Sequence, residues 1–238
     1  MIEKEQELLA LVLDRLAQKF DKHAVLKGGM VLRVLGSPRL TNDLDYVFVP
    51  FASKKEILED VVGCLEGIEG ATVRSSLNSK SLRIVLTREG TSVQIEASVA
   101  MDVQTSAIST RLFSPRFNLP PRIINVVDYK VALANKMAAW NERRLMRDIY
   151  DIWYFLQMGI LPDPSSLEAR LLKPEYSKLV KPKDHFPGKT CSEFYDFLRD
   201  HIAKLTDKTI EQELSDYLEP EELVGLSAFF RAALAKLR

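Results

Sequence analysis

Two aspartates, Asp43 and Asp45, are spaced two residues apart with the apolar Leu44 between them. The apolar, β-prone residues 46–49 that follow predict that the pair lies on a strand or at its edge. Residues two apart on a strand point to the same side of the sheet, so both carboxylates share one face. Adjacent carboxylates repel each other unless a cation lies between them, and oxygen ligands of this kind suit Mg²⁺ or Mn²⁺. The alternative interpretation is an ordinary surface turn.

A glycine pair precedes the acids, with thirteen residues between Gly29 and Asp43. Gly28 and Gly29 stand before residues 30–35, whose apolar stripe predicts a helix. Glycines at a helix N-terminus let backbone N–H groups approach a phosphate closely, although the same glycines also suit a simple tight turn. Thr41 provides a polar, turn-like entry to the acid pair. Together, the glycines and the acids indicate a phosphoryl- or nucleotidyl-transfer site.

Such a site usually has a third acid on a neighbouring strand, which completes the metal coordination or accepts a proton. Glu96 is the candidate, because the alternation in residues 93–99 places it on one face with Gln94 and Ser98. A solvent-facing glutamate on an exposed sheet is equally compatible with this pattern. Asp102 is a weaker candidate, since it falls beyond the strand.

A second set of charged residues lies in residues 128–156. In one continuous helix, Arg147 would lie about 20°, Asp151 about 60° and Asp148 about 120° around from Lys136. Lys136 could then meet a triphosphate with Arg147 beside it, while Asp151 orients Lys136 or a substrate hydroxyl. A helix break near Asn141 would remove this phasing. The alternative is a solvated helix face with charge pairs four residues apart.

The elements that position these residues form an α+β pattern, with a small mixed sheet in the first half and helices in the second. Prolines in residues 113–122 suggest a boundary between a core domain, 1–112, and a helical domain, 123–238. Periodicity predicts helices over 3–20, 24–36, 53–66, 127–158, 166–172, 191–205, 208–218 and 221–236, and strands over 43–49, 71–77, 81–87 and 92–99.

Composition narrows the functional classes further. The net charge of zero argues against a generally basic nucleic-acid binder, although residues 101–190 carry 14 Lys/Arg against 9 Asp/Glu, a net of +5. The proline-bearing, lysine-rich segment 173–190 suits a lid, a polyanion contact or a plain surface connection. The two cysteines are far apart, and no apolar run is long enough to span a membrane. The N-terminus is acidic and helix-forming, unlike a signal peptide. These features predict a reduced, cytoplasmic protein.

The sequence LKGG, thirteen residues, DLDYVF, followed later by KMAAW and RRLMRDIYDIWYFL, resembles the AbiEii/AbiGii-type nucleotidyltransferase toxins, which include the MenT-type enzymes. The resemblance implies a DNA polymerase β-like nucleotidyltransferase core followed by a helical domain. It assigns metal binding to the acid pair, places the triphosphate near the glycines, and matches the later lysine and aspartate motifs. The residues so assigned are Asp43, Asp45, Gly28, Gly29, Thr41, Lys136, Arg147 and Asp151.

The resemblance further implies a Mg²⁺-dependent toxin of a type IV-like toxin–antitoxin or phage-defence pair, with a cognate antitoxin as partner. It would transfer NMP from an NTP to an acceptor hydroxyl, with a transfer-RNA 3′ end preferred, and would thereby block translation. The chain departs from the wider superfamily in having Gly28-Gly29 where Gly-Ser is usual, and Glu96 is not placed by a motif. Nucleotidylation of a protein or of a small molecule such as an aminoglycoside, and a non-catalytic RNA- or partner-binding module, are the alternatives.

Overall fold

The computed structural model describes residues 2–174, 185, 186, 188 and 190–237. The chain divides into two compact units, Met1–Asp128 and Tyr129–Arg238. Most of the lysine-rich segment 173–190, for which the sequence suggested a lid or a polyanion contact, lies outside the described residues. No helix in the described part of the chain combines the length and the apolar character that crossing a membrane requires.

The first unit is a seven-stranded mixed sheet with helices, in the strand order β3-β4-β5-β2-β1-β7-β6. Helices α1 and α3 contact each other and strands of the sheet, whereas α2 contacts β1 and β2. The elements are α1 (Ile2–Phe20), β1 (Ala24–Lys27), α2 (Gly29–Val34), β2 (Asp43–Phe48), α3 (Lys55–Glu66), β3 (Ala71–Leu77), β4 (Leu82–Arg88), β5 (Thr91–Val99), β6 (Thr105–Ser109) and β7 (Ile123–Val127).

Strand β1 lies inside the sheet, antiparallel to β2 and parallel to β7. The expectation of a helix over 24–36 is therefore wrong for its first part, and the helix α2 begins only at Gly29. An internal strand covered on both faces shows a continuous apolar run rather than alternation, and over four residues such a run is indistinguishable from a helix stripe. The internal strand β7 was missed in the same way, whereas β6 is a mostly exposed edge strand without an apolar run.

The core beneath the acid-bearing strand is formed by alternate residues of β2. Leu44, Tyr46 and Phe48 are buried, and the Phe48 ring meets Phe20 of α1 edge-to-face at 4.9 Å between centroids. Burial raises the pKa of the Tyr46 phenol above its ordinary value. The apolar face thus fixes β2 in register, because a shift by one residue would turn Leu44 outward and an aspartate inward.

The proline-rich residues 113–122 lie within the first unit. A 3₁₀ turn, Ser114–Phe117, takes up Pro115 near its start, and the segment connects β6 to its antiparallel partner β7. Arg122 then forms an ion pair with the buried Asp14 of α1. The division between compact units therefore falls after Asp128 rather than at the prolines, because β7 completes the sheet beside β1.

The second unit is helical, and its first helix is interrupted. The expected continuous helix over 127–158 is two helices, because Arg144 adopts φ +54° and Leu145 is extended. The Arg144 guanidinium lies 4.1 Å from the centroid of the Trp140 ring, and its Nη1 donates to the Trp140 carbonyl at 3.1 Å. The helices are α4 (Tyr129–Arg143), α5 (Met146–Gln157), α6 (Pro164–Leu172), α7 (Cys191–Ala203), α8 (Asp207–Leu214), α9 (Pro220–Leu223) and α10 (Leu226–Leu234).

The position of β7 yields a test of the unit boundary. A fragment of residues 1–128 should give a cooperative urea transition, whereas a fragment of residues 1–112 should not. The shorter fragment loses β7 and exposes the edge of β1, where Val126 pairs with Leu26 and both side chains are fully buried. Circular dichroism during urea titration of both fragments provides the measurement. Equal cooperativity of the two fragments would return the boundary to the prolines.

Candidate active site

A glycine turn connects β1 to α2. Gly28 adopts φ +77°, a conformation that side-chain-bearing residues rarely adopt. A Cβ at Gly28 would also collide with Oδ2 of Asp45, and a Cβ at Gly29 would lie 2.6 Å from Nη2 of Arg39 and 3.3 Å from Oγ1 of Thr41. Gly28 is therefore favoured by both the turn and close packing, whereas a side chain at Gly29 would require Arg39 and Thr41 to move.

The acid pair lies on β2 as the sequence predicted. Asp43 and Asp45 are half-buried on one face, while Leu44 and Tyr46 point to the core. The hydroxyl of Thr41 donates to Oδ1 of Asp43 at 2.7 Å, which orients one carboxylate. The predicted polar entry residue thus contacts the acid pair directly.

Thr41 is itself held in place by α1. Its side chain is buried, and its carbonyl accepts a hydrogen bond from Nε2 of Gln6 at 2.7 Å. Gln6 also accepts a bond from Nε of Arg33 in α2 at 3.3 Å. The N-terminal helix therefore positions the acid pair through two intervening side chains.

Arg39 is a site residue that sequence reasoning missed. Its side chain is only 4% exposed, its Nη1 donates to the Leu40 carbonyl at 3.0 Å, and its Nη2 takes the space beside Gly29. Arg39 and Thr41 together fill the position that a serine at residue 29 would need. A buried arginine has no signature in a sequence, and the only available signal is its place four residues before Asp43.

Glu96 lies next to the acid pair. In the parallel pairing of β2 with β5, Glu96 is in register with Asp45 and Gln94 with Asp43. Oε1 of Glu96 also accepts bonds from Nη2 of Arg83 at 2.8 Å and from Nε2 of Gln94 at 3.1 Å. Within the described ranges, no three His, Cys, Asp or Glu side chains are arranged as a ready metal site. Asp43 and Asp45 are the residues whose arrangement suits a metal, and Glu96 stays a candidate third ligand.

The second unit contains a buried cluster of alternating charges. Nζ of Lys136 lies 2.6 Å from Oδ2 of Asp151 and 3.6 Å from Oδ1 of Asp148, and both aspartate side chains are fully buried. Arg143 donates to both oxygens of Asp148 at 2.7 Å. Each buried carboxylate therefore has a cation, as burial of charge requires. The association of Lys136 with Asp151 follows the sequence interpretation.

The helix interruption changes two other expectations. Asp148 was expected to lie far around the helix from Lys136, yet it lies beside it, because α5 begins a new helix with its own phase. The phasing that placed Arg147 beside Lys136 assumed the same continuous helix and no longer applies, and the Arg147 side chain is half-buried. The expected position of Asp148 was therefore wrong, whereas Arg147 stays a predicted nucleotide-binding residue.

The glycine turn generates a first prediction for the site. Gly28→Ala should lower the free energy of unfolding by about 1–3 kcal/mol through backbone strain, and it should also weaken Mn²⁺ binding by displacing the Asp45 carboxylate. Gly90→Ala is the matched control, because Gly90 has φ +78° but open space around its Cα. Urea unfolding and Mn²⁺ titration of both variants provide the measurement. Equal Mn²⁺ affinity in the two variants would show that a side chain at Gly28 does not affect metal binding by the acid pair.

The buried cluster generates a second prediction. Lys136→Met should cost about 3–5 kcal/mol of unfolding free energy, because it removes the ammonium group that faces the buried Asp151. Lys208→Met, which alters an exposed lysine of α8 in the same unit, should change it by less than about 0.5 kcal/mol. The double variant Lys136→Met, Asp151→Asn should recover part of the loss. A single variant as stable as the wild type would contradict the assigned ion pair.

Residues 11–235 match the family model of the nucleotidyl transferase AbiEii toxin of type IV toxin–antitoxin systems. No curated protein matches the sequence. The fold is similar to that of the nucleotidyltransferase toxin MenT4 from Mycobacterium tuberculosis H37Rv, with 17% identity, a TM-score of 0.60, and coverage of 98% of this chain and 85% of MenT4.

The structure of JHP933 from Helicobacter pylori is also similar, with 13% identity, a TM-score of 0.56, and coverage of 99% of this chain and 91% of JHP933. At such identities the structural similarity establishes the fold, whereas the family model, which covers nearly the whole chain, establishes the class of enzyme. The chain belongs to the AbiEii family of nucleotidyltransferase toxins.

Proposed function

We propose that this nucleotidyltransferase moves the NMP group of an NTP onto a hydroxyl at the 3′ end of a transfer RNA, in a Mg²⁺-dependent reaction. The observation that carries the proposal is the close packing of the glycine turn against Asp45. It brings together two carboxylates that would hold a metal ion and a turn without side chains that phosphates would approach. Binding of a nucleoside triphosphate with its metal ion needs both.

The residues present fit a divalent metal. Asp43 and Asp45 offer carboxylate oxygens from one face of β2, and Glu96 stands in register on the next strand. Hard oxygen donors of this kind are the ligands that Mg²⁺ or Mn²⁺ prefers. When bound, the ion supplies charge stabilisation at the α-phosphate and on the departing pyrophosphate.

Other groups of the protein would bind the triphosphate and orient the acid pair. The turn at Gly28 and Gly29 lets the phosphates approach the first amides of α2, which have no partner within the helix. Lys136 and Arg147 of the second unit are proposed to bind the nucleotide as cations, and Asp151 holds the Lys136 ammonium at 2.6 Å. Thr41 fixes the orientation of Asp43.

In the transfer, the acceptor oxygen forms a bond to the α-phosphorus as the bond to pyrophosphate breaks. The proton of the acceptor hydroxyl must pass to a base, and Glu96 is the candidate because it stands beside the acid pair. Its ion pair with Arg83 would have to loosen for that role. The products are a nucleotidylated acceptor and pyrophosphate.

RNA is the preferred acceptor because the family resemblance points to transfer-RNA 3′ ends, and the net charge of +5 over residues 101–190 is compatible with a polyanion. A modified 3′ end no longer accepts an amino acid, so translation would stop. A cognate antitoxin would restrain the enzyme, and infection by phage is a condition that would release it. Since NTPs and transfer RNA are cytoplasmic, the proposal places the enzyme there.

A transfer assay tests the proposal. Purified protein is incubated with Mg²⁺, transfer RNA and each α-³²P-labelled NTP in turn. We expect label on intact transfer RNA with wild-type protein and a loss of at least about a hundredfold with Asp43→Ala, since the charge stabilisation at the α-phosphate depends on the acid pair. Asp60→Asn, which alters an exposed aspartate on α3, should retain activity.

Two controls identify the acceptor. Periodate oxidation of the transfer RNA destroys its terminal vicinal hydroxyls and should abolish labelling if the 3′ end is the acceptor. Omission of RNA while protein extract or aminoglycoside is supplied tests the alternative acceptors. Label on a polypeptide or on a small molecule, and none on RNA, would reject the proposed acceptor.

A further inference from the structure

Four charged residues lie in one row across the sheet, at the level of the acid pair. Lys27 of β1 pairs with Asp45 of β2, Asp45 pairs with Glu96 of β5, and Glu96 pairs with Arg83 of β4. Register partners on adjacent strands present their side chains to the same face, about 5 Å apart. The row therefore consists of two adjacent acids with a cation at each end. The two cations differ in their environment.

At the outer end, the Arg83 guanidinium donates to Oε1 of Glu96 at 2.8 Å, so each of these two charges has a partner within the protein. At the inner end, Lys27 is half-buried, yet its ammonium has neither a hydrogen-bond nor an ion-pair partner among residues 2–174, 185, 186, 188 and 190–237. An ammonium group without a partner in the protein is available to a ligand that supplies anionic oxygens.

Lys27 is also the last residue before the glycine turn, which starts at Gly28 with φ +77°. Its four-carbon side chain begins at the strand end, beside both the turn and Asp45. Arg39, the other cation at the turn, is only 4% exposed and is committed to the Leu40 carbonyl. Of these two cations, Lys27 is the one that retains access to solvent.

We propose that Lys27 is a substrate-binding residue whose Nζ contacts a triphosphate oxygen of the NTP. This assignment rests on the proposed function, since it takes the phosphates to lie at the glycine turn. Its physical role is to offset the repulsion between the acid pair and the polyphosphate, which would otherwise oppose binding. A lysine suits this role because its ammonium is a flexible point charge with three donors.

The competing explanation is that Lys27 only neutralises Asp45 within the folded protein. The two explanations differ in their consequences. Removal of a cation that binds phosphate weakens NTP binding but leaves Mn²⁺ binding unchanged or tighter, because a positive charge beside the acids is lost. Removal of a structural partner of Asp45 lowers stability and disturbs the acid pair, so that NTP and Mn²⁺ binding fall together.

The experiment uses the full chain and four proteins: wild type, Lys27→Met, Lys27→Arg and Lys22→Met. Lys22 is an exposed lysine just before β1, so its variant carries the same change of charge outside the site. Binding of each NTP is measured by calorimetry in Mg²⁺ without acceptor, Mn²⁺ binding by the loss of the free-ion electron paramagnetic resonance signal, and stability by thermal unfolding.

We expect Lys27→Met to weaken NTP binding about tenfold or more, Lys27→Arg to restore most of it, and Lys22→Met to match the wild type. Mn²⁺ affinity and melting temperature should not fall. Unchanged NTP affinity, or a joint loss of NTP binding, Mn²⁺ binding and stability, would overturn the proposal. Wild-type protein that binds no NTP would overturn both this assignment and the proposed function, whereas normal NTP binding without transfer to RNA would reject the acceptor alone.

Discussion

The close approach of Gly28 to Asp45 is the constraint on which the site in the first unit depends. No side chain fits between the turn and the carboxylate, so the turn must be glycine and β1 must lie directly beside β2. β1 is also internal, because β7 pairs with its other side. Arg39 and Thr41 then fill the space beside Gly29, and Thr41 orients Asp43. A glycine pair without a serine is therefore compatible with a complete site, because neighbouring side chains occupy the serine's position.

The charged cluster of the second unit depends on a different constraint, the interruption between α4 and α5. Arg144 ends α4 by bonding the carbonyls of Trp140 and Asn141, and α5 starts in a new phase. The interruption brings Asp148 and Asp151 to Lys136, where a continuous helix would have separated Asp148 from it. Buried carboxylates are costly unless they are paired, so the cluster holds Lys136 in one orientation. A fixed ammonium group is compatible with the role in nucleotide binding proposed for Lys136.

The sequence predicted the parts of the site whose signals are local. Alternation located Asp43, Asp45 and Glu96 on strands, and the glycines marked the turn. It failed where burial on both faces hides the strand period, as in β1 and β7, and where prolines in a connection resembled a domain boundary. It also failed at Arg144, since neither glycine nor proline marks that helix end. Arg39 and Lys27 were missed because their roles arise from pairing across strands and from packing, which separation along the chain does not reveal.

The most direct test of the central claim is the mass of transfer RNA from cells that express the enzyme. Terminal fragments released by ribonuclease digestion would be compared by mass spectrometry between wild type and Asp43→Asn. The account predicts 3′-terminal fragments heavier by whole NMP residues with the wild type alone. Unchanged 3′ ends in cells whose growth the wild-type enzyme arrests would contradict it, and would direct attention to another acceptor for the same acid pair and glycine turn.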